Sequence, residues 1–123
     1  MKTFLVVEDS KIIRTIAAQA LKDMGFATIE AGDGQTALDR CKKELPDAIL
    51  LDWILPIKDG MAFMKEFRTL QSAEDVPIIF CSSKTEPEDI QKALDAGASE
   101  YIMKPFDSEI LKLKINLIDL EQE

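Results

Sequence analysis

Four short apolar runs in this sequence each end in a group that could do chemistry. Val6-Val7 runs into Glu8-Asp9, Leu50-Leu51 into Asp52, Phe80-Cys81 into Ser82-Ser83, and Ile102-Met103 into Lys104-Pro105. If the first and third runs are neighbouring strands, Glu8, Asp9 and Asp52 converge. Carboxylates brought together repel one another strongly unless a cation neutralises them. With hard oxygen ligands and no nitrogen or sulfur donors in the set, the cation that fits is Mg²⁺, held by carboxylates and water. A carboxylate neutralised in this way, with an ammonium group and a hydroxyl beside it, is equipped to accept a phosphoryl group. The cation and the lysine offset charge on the transferring group, and the hydroxyl donates to one of its oxygens.

Other chemistries are excluded by composition. The chain of 123 residues has no histidine, so Ser-His-Asp and Cys-His catalysis and every histidine metal ligand are ruled out. Cys41 and Cys81 stand far apart inside apolar patterns, which reads as two buried thiols rather than a disulfide or a metal site. With 15 Lys+Arg against 23 Asp+Glu, the formal charge is −8, which opposes binding to nucleic acid or to an anionic membrane. Apolar runs such as residues 4–7 and 48–51 are too short to cross a membrane or to form a signal-peptide core. The expectation is a cytoplasmic protein.

The elements that must position these groups follow from periodicity. Residues 4–7, 26–30, 48–51, 76–81 and 99–103 read as strands. Segments of helical period lie between them. Ser10 caps a helix whose inward face is expected to be Ile13, Ile16, Ala17, Ala20, Leu21 and Met24, ending at Gly25. Ala37, Leu38, Cys41 and Leu45 face inward on a second helix that Pro46 stops, and Asp59-Gly60 open a third that carries Phe63, Phe67 and Leu70. Thr85-Glu86-Pro87-Glu88 fits a capping box for a fourth, with Ile90, Ala93 and Leu94 inward and Gly97 at its end. Asp107 or Ser108 caps a fifth that runs to about Leu120. Strict alternation of strands and helices implies an α/β fold with a doubly wound, five-stranded parallel sheet and five helices, in one domain spanning 1–123 with no output domain. In such a sheet, function collects at the carboxyl ends of the strands beside the point where strand order reverses. The end of the second strand, Glu30-Ala31-Gly32, offers no evident chemistry.

In their order and spacing, these motifs resemble the receiver domain of two-component response regulators of the CheY type. The resemblance rests on Val6-Val7-Glu8-Asp9-Ser10, on Leu50-Leu51-Asp52 with Pro56 and Gly60, on Ser82-Ser83, on Gly97-Ala98 and on Tyr101-Ile102-Met103-Lys104-Pro105-Phe106, and it covers essentially the whole chain. It implies a flavodoxin-like, CheY-like strand order of 2-1-3-4-5. It also implies that Asp52 is the phosphoacceptor and that Glu8, Asp9, Asp52 and the carbonyl of Ile54 hold Mg²⁺. Ser82 becomes the switch hydroxyl and Tyr101 the switch aromatic, turning inward on phosphorylation. Lys104 becomes the charge-offsetting lysine, followed by a cis bond to Pro105. The phosphoryl donor would be a phosphohistidine on a sensor histidine kinase or a histidine phosphotransfer protein. The chain would then be a signalling protein with at most slow autophosphatase activity. The sequence departs from the family pattern in four places: Glu-Asp replaces the commoner Asp-Asp, Ser82 replaces Thr, Ser83 replaces Ala, and a bulky Trp53 follows the acceptor.

Ile54 and Lys84 each stand two residues beyond a site group, at the mouth, and are expected to tune the phosphoryl lifetime. A Mg²⁺-dependent phosphohydrolase of the haloacid-dehalogenase type would need a second Asp where Ile54 stands. A receiver acting only as a non-phosphorylated adaptor would not need its chemical positions filled. On the last helix, Ile110, Leu113, Leu117 and Leu120 form one apolar stripe, and Leu111, Ile115 and Ile118 a second. The second stripe is expected to be partly exposed. Together with the fourth helix and fifth strand it would form the surface for a homodimer or a separate target.

Overall fold

The computed structural model describes residues 1–118 and 120. Residues 119 and 121–123, part of the expected domain span, lie outside the described residues. Strands β1 (Thr3–Val7), β2 (Ala27–Ala31), β3 (Ala48–Asp52), β4 (Ile78–Ser82) and β5 (Glu100–Met103) alternate with helices α1 (Lys11–Asp23), α2 (Gly34–Lys43), α3 (Gly60–Phe67), α4 (Pro87–Asp95) and α5 (Ser108–Leu117). The sheet is fully parallel in the order β2-β1-β3-β4-β5. This is the expected doubly wound arrangement.

Strand residues alternate between two cores, because successive side chains point to opposite faces. Phe4, Val6, Leu50, Ile79 and Ile102 pack under α1 and α5, while Leu5, Val7, Ile49, Leu51 and Phe80 pack under α2, α3 and α4. Both faces of the sheet are covered, which explains why the strands read as continuous apolar runs. Ser10, Asp33, Asp59 and Asp107 each accept a hydrogen bond from a main-chain N–H in the first turn of α1, α2, α3 and α5.

The strand order reverses between β1 and β3. Val7 pairs with Leu51, so the residues that follow both strands emerge side by side. Gly60 is required at the same end, since a Cβ there would lie 2.2 Å from the Asp52 carbonyl oxygen. Arg68 ties the opposite end together by donating to the carbonyls of Ala73, Val76 and Gly97.

Four sequence expectations are corrected. On α1 the buried residues are Ala17, Ala18 and Leu21, whereas Ile13 and Ile16 are 43% and 64% exposed. The two alanines let the helix lie close to the sheet, which rotates the isoleucines outward. The capping box before α4 does not form. Glu86 is the N-cap, without a side-chain bond, because the helix starts one residue later and places Pro87 in its first turn. Leu94 is exposed rather than inward. The two stripes of the last helix exchange roles: Leu111, Ile115 and Ile118 are buried against the sheet, while Ile110, Leu113 and Leu117 are exposed. That helix ends at Leu117, and Leu120 packs partly against the same core.

The exchange of stripes is directly testable. Ile115→Ser is expected to destabilise the fold by about 2–5 kcal/mol, as for loss of a buried aliphatic side chain. Leu113→Ser should stay within about 0.5 kcal/mol of the parent. Urea unfolding of both variants decides the matter, and equal losses would reverse the assignment.

Candidate functional site

The reversal of strand order puts three carboxylates in one place. Glu8 and Asp9 leave β1, Asp52 closes β3, and one oxygen of each lies within 4.8 Å of the others. Glu8 and Asp52 are buried and Asp9 is exposed. Lys104, just beyond β5, reaches across the end of β4. Its ammonium donates to Glu8 Oε1 at 2.6 Å and to Asp52 Oδ2 at 2.8 Å. Burial works against the charge on Lys104, but hydrogen bonds to Asp52 and Glu8 outweigh it, so the ammonium is held above the ordinary lysine range. The Lys104–Pro105 bond is cis, as expected.

One ammonium against three carboxylates leaves the cluster with excess negative charge. An all-oxygen donor set of this kind, two-thirds of it buried, fits a hard divalent cation. The second oxygen of Glu8 accepts from the Ser10 N–H at 3.2 Å, which fixes the orientation of that carboxylate.

The remaining expected residues surround this cluster. Ser82 is buried, and its Oγ accepts from the Lys84 N–H at 3.1 Å. Tyr101 lies inward, with its hydroxyl donating to the Lys84 carbonyl at 2.9 Å. Burial is the main cause that raises the pKa of its phenol. Ile54 is 64% exposed at the mouth. Lys84 does not point at the carboxylates: its ammonium sits 5.0 Å from the centre of the Trp53 ring. Behind the site, burial pushes the Cys81 thiol well up and that of Cys41 up to about 12, so both thiols stay protonated.

Sequence reasoning missed Arg14. Its guanidinium donates to the Glu8 carbonyl at 2.8 Å and to Glu30 at 3.0 Å. The end of the second strand therefore does contribute: Glu30 anchors the arginine that steadies the acidic corner. Opposite charges at the start of a helix and the end of the next strand were the only signal, and it is a weak one.

Comparison with known proteins agrees with this geometry. The family model described as the response regulator receiver domain matches residues 4–116. The phosphate regulon transcriptional regulatory protein PhoB of Escherichia coli K12 is 35% identical over 117 residues, which is 95% of this chain but 51% of PhoB, so the chain spans about half the length of that relative. Among solved structures, the Vibrio cholerae chemotaxis protein CheY4 superposes with a TM-score of 0.91 at 31% identity, covering 97% of this chain and 99% of that one. The receiver domain of a Pseudomonas aeruginosa sensor histidine kinase, determined with a magnesium ion coordinated in its active-site cleft, gives a TM-score of 0.87 at 29% identity, over 95% of this chain and 96% of that one. With a parallel sheet in the order β2-β1-β3-β4-β5 and a convergent acidic cluster beside a lysine, the chain belongs to the response regulator receiver domain family.

Proposed function

We propose that this receiver accepts a phosphoryl group on Asp52 from a phosphohistidine of a sensor histidine kinase or histidine phosphotransfer protein. One observation carries the reading: three carboxylates converge around a lysine at the strand-order reversal, in a chain that holds no histidine of its own. An Asp52 oxygen attacks phosphorus, the P–O bond forms as the P–N bond breaks, and the imidazole leaves with its electron pair. Glu8, Asp9, Asp52 and the main-chain carbonyl of Ile54 would hold Mg²⁺, which when bound supplies positive charge against the phosphoryl oxygens. Lys104 already lies on Asp52 and offsets the rest. The Ser82 hydroxyl, beside it at the end of β4, donates to a phosphoryl oxygen.

The partner's approach is supported by α1. The outward-turned Ile13 and Ile16 line a groove with Pro105 and Phe106, and Ser83 and Lys104 border the same groove. It offers apolar surface next to the acceptor. The state of Asp52 is passed to a homodimer partner or a separate target through α4, β5 and α5, where Leu94, Met103, Ile110, Leu113 and Leu117 are exposed. Ile54, where a phosphohydrolase needs an acid, leaves only slow loss of the phosphoryl group to water.

Incubation with acetyl phosphate and Mg²⁺ should add one phosphoryl mass, and Asp52→Asn should abolish the gain. Asp9→Asn should weaken Mg²⁺ binding and slow the reaction. Undiminished phosphorylation in excess EDTA would sink the proposal, and rapid turnover of generic phosphate esters would favour a hydrolase.

The lifetime of phosphorylated Asp52 should respond to the mouth residues. Ile54→Asn replaces an apolar side chain with one that can hydrogen-bond the attacking water, and it is expected to change the dephosphorylation rate more than the Mg²⁺ affinity. Unchanged decay in both Ile54 and Lys84 variants would remove these residues from the account.

The raised Lys104 pKa has a defined consequence for stability. The folded state holds this proton more tightly than the unfolded chain, so the contribution is fully present below the unfolded value of about 10.4 and is lost as pH rises through the folded value. Urea midpoints of the parent and Lys104→Met should differ by a constant amount from pH 7 to about 10 and converge above it. A difference that grows with pH in that alkaline range would contradict the pairing.

A further inference from the structure

We propose that Trp53 is a positioning residue: its indole holds the Lys84 ammonium and thereby sets the Lys84 carbonyl where it accepts the Tyr101 hydroxyl and keeps that ring turned inward. Lys84 is held at three points. Its N–H donates to Ser82 Oγ, its carbonyl accepts from the Tyr101 hydroxyl, and its ammonium lies 5.0 Å from the Trp53 ring centre, within the range of a cation–π contact. Among the described residues, Lys84 makes no salt bridge, even though the acidic cluster is nearby. Lys104 already occupies Glu8 and Asp52, so the indole face is the partner left to Lys84.

The holder is buried and the held segment is largely exposed. Trp53 is 9% exposed, stacks on Phe80 at 5.2 Å, donates its main-chain N–H to the Cys81 carbonyl and receives the Gly60 N–H on its main-chain carbonyl. Phe80 in turn meets the Tyr101 ring edge-on at 6.1 Å. The segment carrying Lys84 exposes Ser83, Thr85 and Glu86 and enters α4 without a side-chain cap. A closed circuit therefore runs from Trp53 through Phe80 and Tyr101 to Lys84 and back. The only link in it made by a long, flexible side chain is the Lys84 ammonium on the indole. If that link is released, the Lys84 carbonyl is free to drift and Tyr101 loses its acceptor.

The consequence for signalling rests on the acceptor reading of Asp52, but the clamp itself is tested in the unphosphorylated protein. Tyr101 is the single tyrosine, so nitration by tetranitromethane, followed by mass spectrometry, reports how often its ring turns outward. A cation–π contact at a partly exposed site corresponds to a factor of about two to five in such an equilibrium. Trp53→Leu and Lys84→Met should each speed nitration by about that factor, the double variant should be no faster than either, and Lys84→Arg should keep the parent rate. Additive effects, no acceleration in Lys84→Met, or an Arg variant as fast as the Met variant would overturn the clamp. The Lys84 series decides the question even if Trp53→Leu folds poorly. A parallel titration with Mg²⁺ and beryllofluoride, a phosphoryl mimic, should bind about two- to five-fold more weakly to Trp53→Leu than to the parent, with no such difference in the Lys84→Met background. Failure of beryllofluoride to bind the parent at all would overturn the acceptor reading while leaving the nitration result to judge the clamp.

Discussion

Repulsion among Glu8, Asp9 and Asp52 is the constraint around which the rest of the molecule is arranged. Unit charges about 4 Å apart near a protein surface oppose one another by about 4 kcal/mol per pair. That is comparable with the whole net stability of a small domain, about 5–15 kcal/mol. Lys104 relieves part of it by bridging Glu8 and Asp52. Arg14 adds a second positive charge behind the Glu8 carbonyl. What remains is a site that is electrostatically unsatisfied without a cation, supported by apolar burial on both faces of the sheet. A core that contains Phe4, Phe63, Phe67 and Phe80, all essentially inaccessible, supplies the stability that such a cluster consumes.

Parallel topology is what makes that concentration of charge geometrically enforceable. β1 pairs with β2 on one side and β3 on the other, so helices leave in opposite directions and a cleft opens at the carboxyl ends. The acidic residues cannot move apart, because each follows a strand whose register is fixed by two-sided burial. Gly60 adds a further restraint: α3 starts in contact with the Asp52 main chain, so Asp52 cannot retreat toward that helix. Lys104 arrives from β5 across one intervening strand, a distance that a long lysine side chain spans.

Much of this was legible in the sequence because strand ends are marked by a change from apolar to polar residues, and the chemistry sits at those changes. The acidic trio, the lysine and the hydroxyl all follow runs such as Leu50-Leu51 or Phe80-Cys81. The phase of the helices was not legible. Periodicity gives the spacing of apolar residues but not which face meets the sheet when apolar residues cover more than half the circumference. In α5 both stripes were self-consistent, and only the packing of Leu111 and Ile115 against the sheet selects one. In α1 the larger isoleucines looked like core, yet Ala17 and Ala18 win the buried face because small side chains permit close approach. Pairings between distant positions were also invisible. Nothing local to Arg14 names Glu30, and nothing local to Lys84 names Trp53.

Order is distributed unevenly among the helix starts around Asp52. Four helices begin with a side chain that accepts a main-chain N–H, and the starts of α1 and α3, next to the acidic cluster, are among them. The start of α4 lacks that bond, and the chain leading to it carries the main-chain contacts to Ser82 and Tyr101. The Ser82 hydroxyl is therefore joined, through the Lys84 main chain, to Tyr101 in β5 and to the entry of α4, while β1 and β3 are tied to each other by their ladder. The strands that hold the carboxylates are buried on both faces, whereas the segment from Ser83 to α4 is largely exposed, so a displacement at Ser82 meets less packing toward α4 than toward β1 and β3.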